Sequence, residues 1–166
     1  MTKNPVCCLP SDLVTEAAEL MKSKHVGSIP VIENEQTKRL VGIVTDRDLT
    51  LRIVAEGLDA KSTKVETVMT RKVVTCLAED DLQKALDAMS ENQLRRIPIV
   101  DDDHKILGII AQADVATRFN HPKKTGAMVK EISQADGVWK VVYDKYGWWI
   151  KEVWNVEQKN EQDPVR

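Results

Sequence analysis

Aromatic residues are scarce over most of this sequence: its 166 residues hold one Phe, two Tyr and four Trp, and all but Phe119 fall between residues 139 and 154. Most of the chain must therefore build its core from aliphatic side chains. Cysteine is scarce too, and three residues, two of them adjacent at Cys7 and Cys8, make a poor disulfide framework because neighbours in a strand point to opposite faces. Neither charge dominates. With 24 Lys plus Arg against 26 Asp plus Glu and a net charge of −2, the chain lacks the electrostatic footprint of a partner for nucleic acid or an anionic membrane. No apolar run approaches the roughly 18 residues of a membrane span, and the start MTKNPVCCLP has no apolar signal core. The expectation is a soluble cytoplasmic chain. His25, His104 and His121 share no i, i+4 spacing, and no Gly-rich phosphate loop, nucleophile elbow or zinc spacing is present. Neither a metal site nor catalysis is expected.

What the sequence does contain is an internal repeat. Residues 1–32 laid over 69–100, an offset of 68, match at Met1/Met69, Thr2/Thr70, Val6/Val74, Cys8/Cys76, Leu9/Leu77, Asp12/Asp80, Ala17/Ala85, Met21/Met89, Ile29/Ile97 and Pro30/Pro98. Beyond a two-residue contraction, ENEQTKR against DDDHK, the offset is 66 and Gly42/Gly108, Ile43/Ile109, Asp48/Asp114 and Arg52/Arg118 match. A repeat of this kind sets the fold expectation. In the first copy Pro10, Ser11 and Asp12 supply a helix start and Leu13, Ala17, Leu20 and Met21 recur at helical spacing; Ile29 to Ile32 and Leu40 to Val44 read as strands, and a second helix runs from about Asp46 to Val54. The second copy predicts a helix near Asp80 to Glu91, strands Ile97 to Val100 and Ile106 to Ile110, and a helix from about Ala113 to Phe119. Each unit reads strand, helix, strand, strand, helix. Units this small do not bury a sheet alone, so the two copies are expected to pack on each other.

Gly42-Ile43-Val44-Thr45-Asp46-Arg47-Asp48 is where chemistry would sit. Thr45 followed by Asp48 fits a capping box, a purely structural reading. The same geometry suits a ligand, because a helix N-terminus offers free N–H groups to a phosphate and a carboxylate one turn in can accept both hydroxyls of a ribose.

The repeat length, the Ile-Pro-Val and Ile-Pro-Ile strands at 29–31 and 97–99, the segment Val68-Met69-Thr70 and the heptad above with Leu49 and Arg52 together resemble the cystathionine β-synthase (CBS) domain. Two copies resemble a CBS pair, or Bateman module, over residues 1 to about 119. The resemblance implies an α/β (α+β) fold: two pseudo-symmetric β-α-β-β-α units, residues 1–60 and 61–119, packed through their sheets and forming a homodimer. It implies a regulatory role, with an adenosine-containing ligand (AMP, ADP or ATP, or else S-adenosylmethionine or NADH) in the clefts between copies. Carried over by position, Thr45 and Asp48 would hold phosphate and ribose and Thr75 would lie near the base. Arg95 and Arg96, just before Ile97 and Pro98, would face the phosphate, and Arg47 is a further candidate. The second site is weaker, with Cys7 where the other has Thr75, Ala111 in place of Thr45, and Ile29, Pro30 and Asp114 completing it. A competing reading is a protein-interaction module with vestigial nucleotide sites.

The repeat ends near Phe119. Residues 120–137 read as a linker with a short helical turn at 128–132. Val138 to Tyr143 and Trp148 to Trp154, flanking Asp144-Lys145-Tyr146-Gly147, read as a β-hairpin within a Trp-rich segment, 138–166, that ends in a polar tail. An isolated hairpin is marginal in water. Its tryptophans therefore pack on the module or offer a docking surface to a regulated protein partner.

Overall fold

In the computed structural model, which describes residues 1–118, 122–133, 138–144 and 147–153, both copies share the order helix, strand, strand, helix and differ in the strand that precedes it. The first has β1 (Thr2–Lys3), α1 (Val14–Lys24), β2 (Ser28–Ile32), β3 (Leu40–Thr45) and α2 (Asp46–Leu49), which continues as a π-helical turn over Thr50–Val54. α3 (Val65–Val68) leads into the second copy, made of β4 (Cys76–Leu77), α4 (Leu82–Glu91), β5 (Arg96–Val100), β6 (Ile106–Ala111) and α5 (Gln112–Arg118). α6 (Pro122–Ile132) and the hairpin strands β7 (Val138–Asp144) and β8 (Gly147–Val153) follow.

Local sequence explains most of these limits. β3 alternates buried and half-buried residues, while β2 is buried throughout, so one strand covers the core and the other runs through it. The first helix starts later than Pro10 to Asp12 suggests. Asp12 Oδ2 accepts the Leu9 N–H at 2.7 Å and thereby closes a turn, and Asp80 does the same for Leu77 at 2.8 Å. The exposed N–H of Leu13 is then covered by Glu16 at 2.8 Å, and α4 is capped by Asp81, which accepts the Lys84 N–H at 2.8 Å.

A pseudo-two-fold relates the copies through backbone pairing. Arg39 and Lys105, equivalent positions of the repeat, bridge each other antiparallel. Around that bridge the Leu40 N–H reaches the His104 carbonyl at 2.9 Å and the Ile106 N–H reaches the Lys38 carbonyl at 3.0 Å. Ile32, Leu40, Val100 and Ile106, two equivalent pairs, form one buried cluster there. Each copy also lends its opening segment to the other: Thr2 pairs with Ile109 and Thr70 with Ile43. These crossings need glycine, because a Cβ on Gly42 would lie 2.7 Å from Met69 Sδ and one on Gly108 2.8 Å from Met1 Sδ, with Thr70 and Thr2 carbonyls close behind.

Two expectations need correction. The opening strand of the first copy shrinks to a single parallel bridge, Cys8 to Val31, where the second copy has β4 paired with β5. The linker expected at 120–137 contains α6, which buries Met128 and Ile132 against Ala85, Leu86 and Met89 of the second core. Pro122 opens α6, and proline at the first helical position favours a helix. The hairpin forms with seven paired positions from Val138/Val153 to Asp144/Gly147, as a two-stranded sheet of its own. Phe119, Lys145, Tyr146, Trp154 and the polar tail lie outside the described residues.

Candidate functional site

Thr45 ends β3 in extended backbone and caps α2, and the box is closed in both directions. Its hydroxyl accepts the Asp48 N–H at 3.1 Å and donates to Asp48 Oδ2 at 2.7 Å, and its own N–H donates to the same oxygen at 2.9 Å. The other carboxylate oxygen of Asp48 lies 3.4 Å from Arg52 Nη2. Arg52 also donates to the Val68 carbonyl, so its guanidinium joins the capped corner to the passage between the copies. Asp48 is thus satisfied on both oxygens, and the single O–H donor of Thr45 is committed to it. A ribose hydroxyl seeking Asp48 competes with Arg52; a phosphate seeking the Thr45 hydroxyl requires it to rotate.

The copies meet beside this corner. A Cβ on Gly27 would fall 2.7 Å from Asp46 Oδ2 and 3.0 Å from Arg96 Nη2, so a guanidinium from the second copy and a carboxylate from the first converge where glycine leaves room. The Asp46 N–H also bonds the Gly27 carbonyl at 3.1 Å, and Ser28 pairs with Thr45 across the strands. Thr75 immediately precedes β4, whose Cys76 pairs with Ile99, and so runs alongside the strand that Arg96 opens. Arg95 supplies a carbonyl to the Gln112 N–H at 2.8 Å. Arg47 is exposed.

Ile97 and Ile29 are 0% exposed and belong to the two cores, and Pro98 and Pro30 are likewise fully buried. These four residues therefore shape the strands from within and present no exposed surface to a ligand. In the second copy Ala111 pairs with Arg96 and its N–H reaches Asp114 at 3.2 Å, so half of the capping box remains without the hydroxyl. Cys7 is half-buried and donates to the Pro5 carbonyl at 3.3 Å. Burial pushes its thiol up to about 11 and that of Cys8 up to about 12, with Glu35 and Asp12 adding to the respective shifts. Sequence reading missed the closeness of Asp46 to Arg96 and the bridging role of Arg52; the i, i+4 spacing of Asp48 and Arg52 was the available signal.

Among the described residues no group of three or more His, Cys, Asp or Glu side chains could hold a metal, and no helix is long and apolar enough to cross a membrane.

Known proteins share this architecture. The chain is 37% identical over 133 residues to the CBS domain-containing protein YhcV of Bacillus subtilis, covering 80% of this chain and 91% of that one. It is 35% identical over 121 residues to the inosine-5'-monophosphate dehydrogenase of Methanocaldococcus jannaschii, where the match spans 73% of this chain but only 23% of the enzyme. Among solved structures, a hexameric CBS-CP12 protein from bloom-forming cyanobacteria superposes with a TM-score of 0.64 at 27% identity, covering 74% of this chain and 70% of that one. The profile of the CBS domain matches twice, at residues 1–55 and 65–121. With both halves of its pseudo-symmetric body matched, the chain belongs to the CBS domain family as a tandem pair.

Proposed function

We propose that this CBS pair is a regulatory module that binds an adenosine-containing ligand in the cleft beside Thr45, without catalysis. The observation that carries the reading is the approach of Arg96, from the second copy, to the Thr45–Asp48 corner of the first. A ligand seated there would touch both copies, with its ribose on Asp48, its phosphate on Arg96 and the α2 N-terminus, and its base toward Thr75. Such a ligand shifts the arrangement of the copies by the difference in its affinity for each. Asp46 beside Arg96 opposes every added phosphate, so AMP should bind more tightly than ATP. Calorimetric titration with AMP, ADP, ATP, S-adenosylmethionine and NADH tests this. At least one should bind below about 1 mM, roughly −4 kcal/mol, and Asp48→Ala should weaken it by about tenfold or more. Equal binding by Asp48→Ala, or none below that limit, overturns the site.

A second reading is a protein-interaction module acting through its C-terminal hairpin. It is favoured by the hairpin's standing as a separate two-stranded sheet, since such a sheet needs a surface to cover it.

A further inference from the structure

The one place where the two copies differ in length is the turn between their paired strands, where the first copy carries two extra residues. Those residues build something. Glu35 and Gln36 line a cavity of about 400 Å³ together with Val6 and Cys7 of the opening segment and Lys105 of the second copy. Lys38, Ile32, Ile106 and Leu107 line it too, with Ile32 and Ile106 buried in the cluster behind it. None of Thr45, Asp48, Thr75 or Arg96 lines it, so it is distinct from the Thr45 cleft; Cys7, a residue of the weaker second position, is the one it shares with the expected nucleotide sites.

The turn is fixed by its own hydrogen bonds. Asn34 Oδ1 accepts the N–H groups of Gln36 at 3.0 Å and Thr37 at 2.8 Å together with the Thr37 hydroxyl at 3.1 Å. The Lys38 N–H returns to the Asn34 carbonyl at 3.0 Å with Lys38 in the left-handed region at φ 51°. The carbonyl of Lys38 then accepts from Ile106 across the pseudo-two-fold. Such a loop holds its shape before any ligand arrives. Lys38 and Lys105 form no ion pair with any carboxylate among the described residues, nor does Glu35 with any cation. Two exposed ammonium groups and one exposed carboxylate therefore line one cavity alongside the half-buried Val6 and Leu107. Burial raises the Cys7 thiol, with nearby Glu35 raising it further and Lys38 lowering it, so both charges lie near the thiol at the cavity.

We propose that this cavity is a second ligand site, specific to the first copy, for an aliphatic α-amino acid: the carboxylate on Lys38 and Lys105, the ammonium on Glu35, and the side chain on the half-buried Val6 and Leu107. A zwitterion satisfies all three charges at once, whereas a simple anion leaves Glu35 opposed to it.

Amide NMR titration of the full chain with L-leucine tests the proposal, with 4-methyl-2-oxopentanoate as the probe lacking the ammonium. Leucine should shift the Val6, Cys7, Gln36 and Lys105 amides saturably below about 5 mM, and the keto acid should bind at least about tenfold more weakly, a 1.4 kcal/mol difference. The exposed double variant Lys38→Met/Lys105→Met should keep its thermal midpoint and lose the shifts. Glu35→Gln should narrow the gap between the two probes. Saturating AMP should leave leucine binding unchanged, which separates failure here from failure at the Thr45 cleft. No saturable shift up to about 10 mM, equal or tighter binding of the keto acid, or shifts that survive in the double variant would each overturn the assignment.

Discussion

At Asp48 a single carboxylate serves two purposes, because the bonds that end β3 cleanly are those a ribose would ask for. Sequence left cap and ligand site as alternatives, and the geometry realises the cap in full, with Arg52 on the remaining oxygen. That oxygen is the exchangeable one: its partner sits at 3.4 Å and is half-exposed, and such pairs contribute only about 0–1 kcal/mol. Cysteine behaves differently, since its environment cannot be read from spacing at all. With the Cys7 thiol moved from 9.0 to about 11, its thiolate fraction at pH 8 is about a hundredfold below that of a free thiol. Iodoacetamide should accordingly modify Cys7 about a hundredfold more slowly than glutathione at that pH, read by peptide mass spectrometry; comparable rates would show the thiol to be unshifted. The same shift makes the folded state hold its proton more tightly. The stabilisation this brings is complete below pH 9 and is lost as pH rises toward 11.

Elements were legible where periodicity and turn chemistry agreed, as in β2, β3, β5, β6 and α4. They were illegible where one cue contradicted the other. The run from Asn120 to Gly126 is polar and contains proline and glycine, yet it enters α6, because the deciding contacts of Met128 and Ile132 lie on α4, some 40 residues earlier in sequence. β1 was equally hidden, since its partner is in the other copy and no local signal marks a two-residue strand. α6 should therefore behave as core. A chain ending after Ser133 should unfold at a denaturant midpoint close to that of the full protein. One ending after Arg118 should lose stability in its second half, and Met128→Ala, which removes a side chain only 3% exposed, should cost about 2–5 kcal/mol. Equal midpoints for the two truncations would show α6 to be an appendage.

The whole molecule is nearly two-fold within itself, and a contact with another copy is expected where it departs from that symmetry. Its axis was implicit in the sequence: the two offsets name Arg39 and Lys105 as equivalents, although only three dimensions show them paired. The asymmetry lies on the helical surface. α6 covers the second copy, while among the described residues nothing equivalent covers the first, where Leu51, Val54 and Leu58 are 47%, 75% and 44% exposed. Leu51 and Val54 lie on the π-helical turn, and Leu58 lies just beyond it, past Gly57 at φ 66°. Exposed Arg47 precedes these residues and exposed Glu56 lies among them, while Arg52 is held by Asp48 and the Val68 carbonyl. A homodimer through this face would join first copy to first copy and leave α6 outside. Light scattering after size exclusion at about 100 µM, a concentration that detects association near −5 kcal/mol, should find a dimer. Val54→Asp should convert it to a monomer with little change in thermal midpoint, because an exposed position contributes little to the fold. A monomeric wild type, or a Val54→Asp variant that stays dimeric, would place the contact elsewhere.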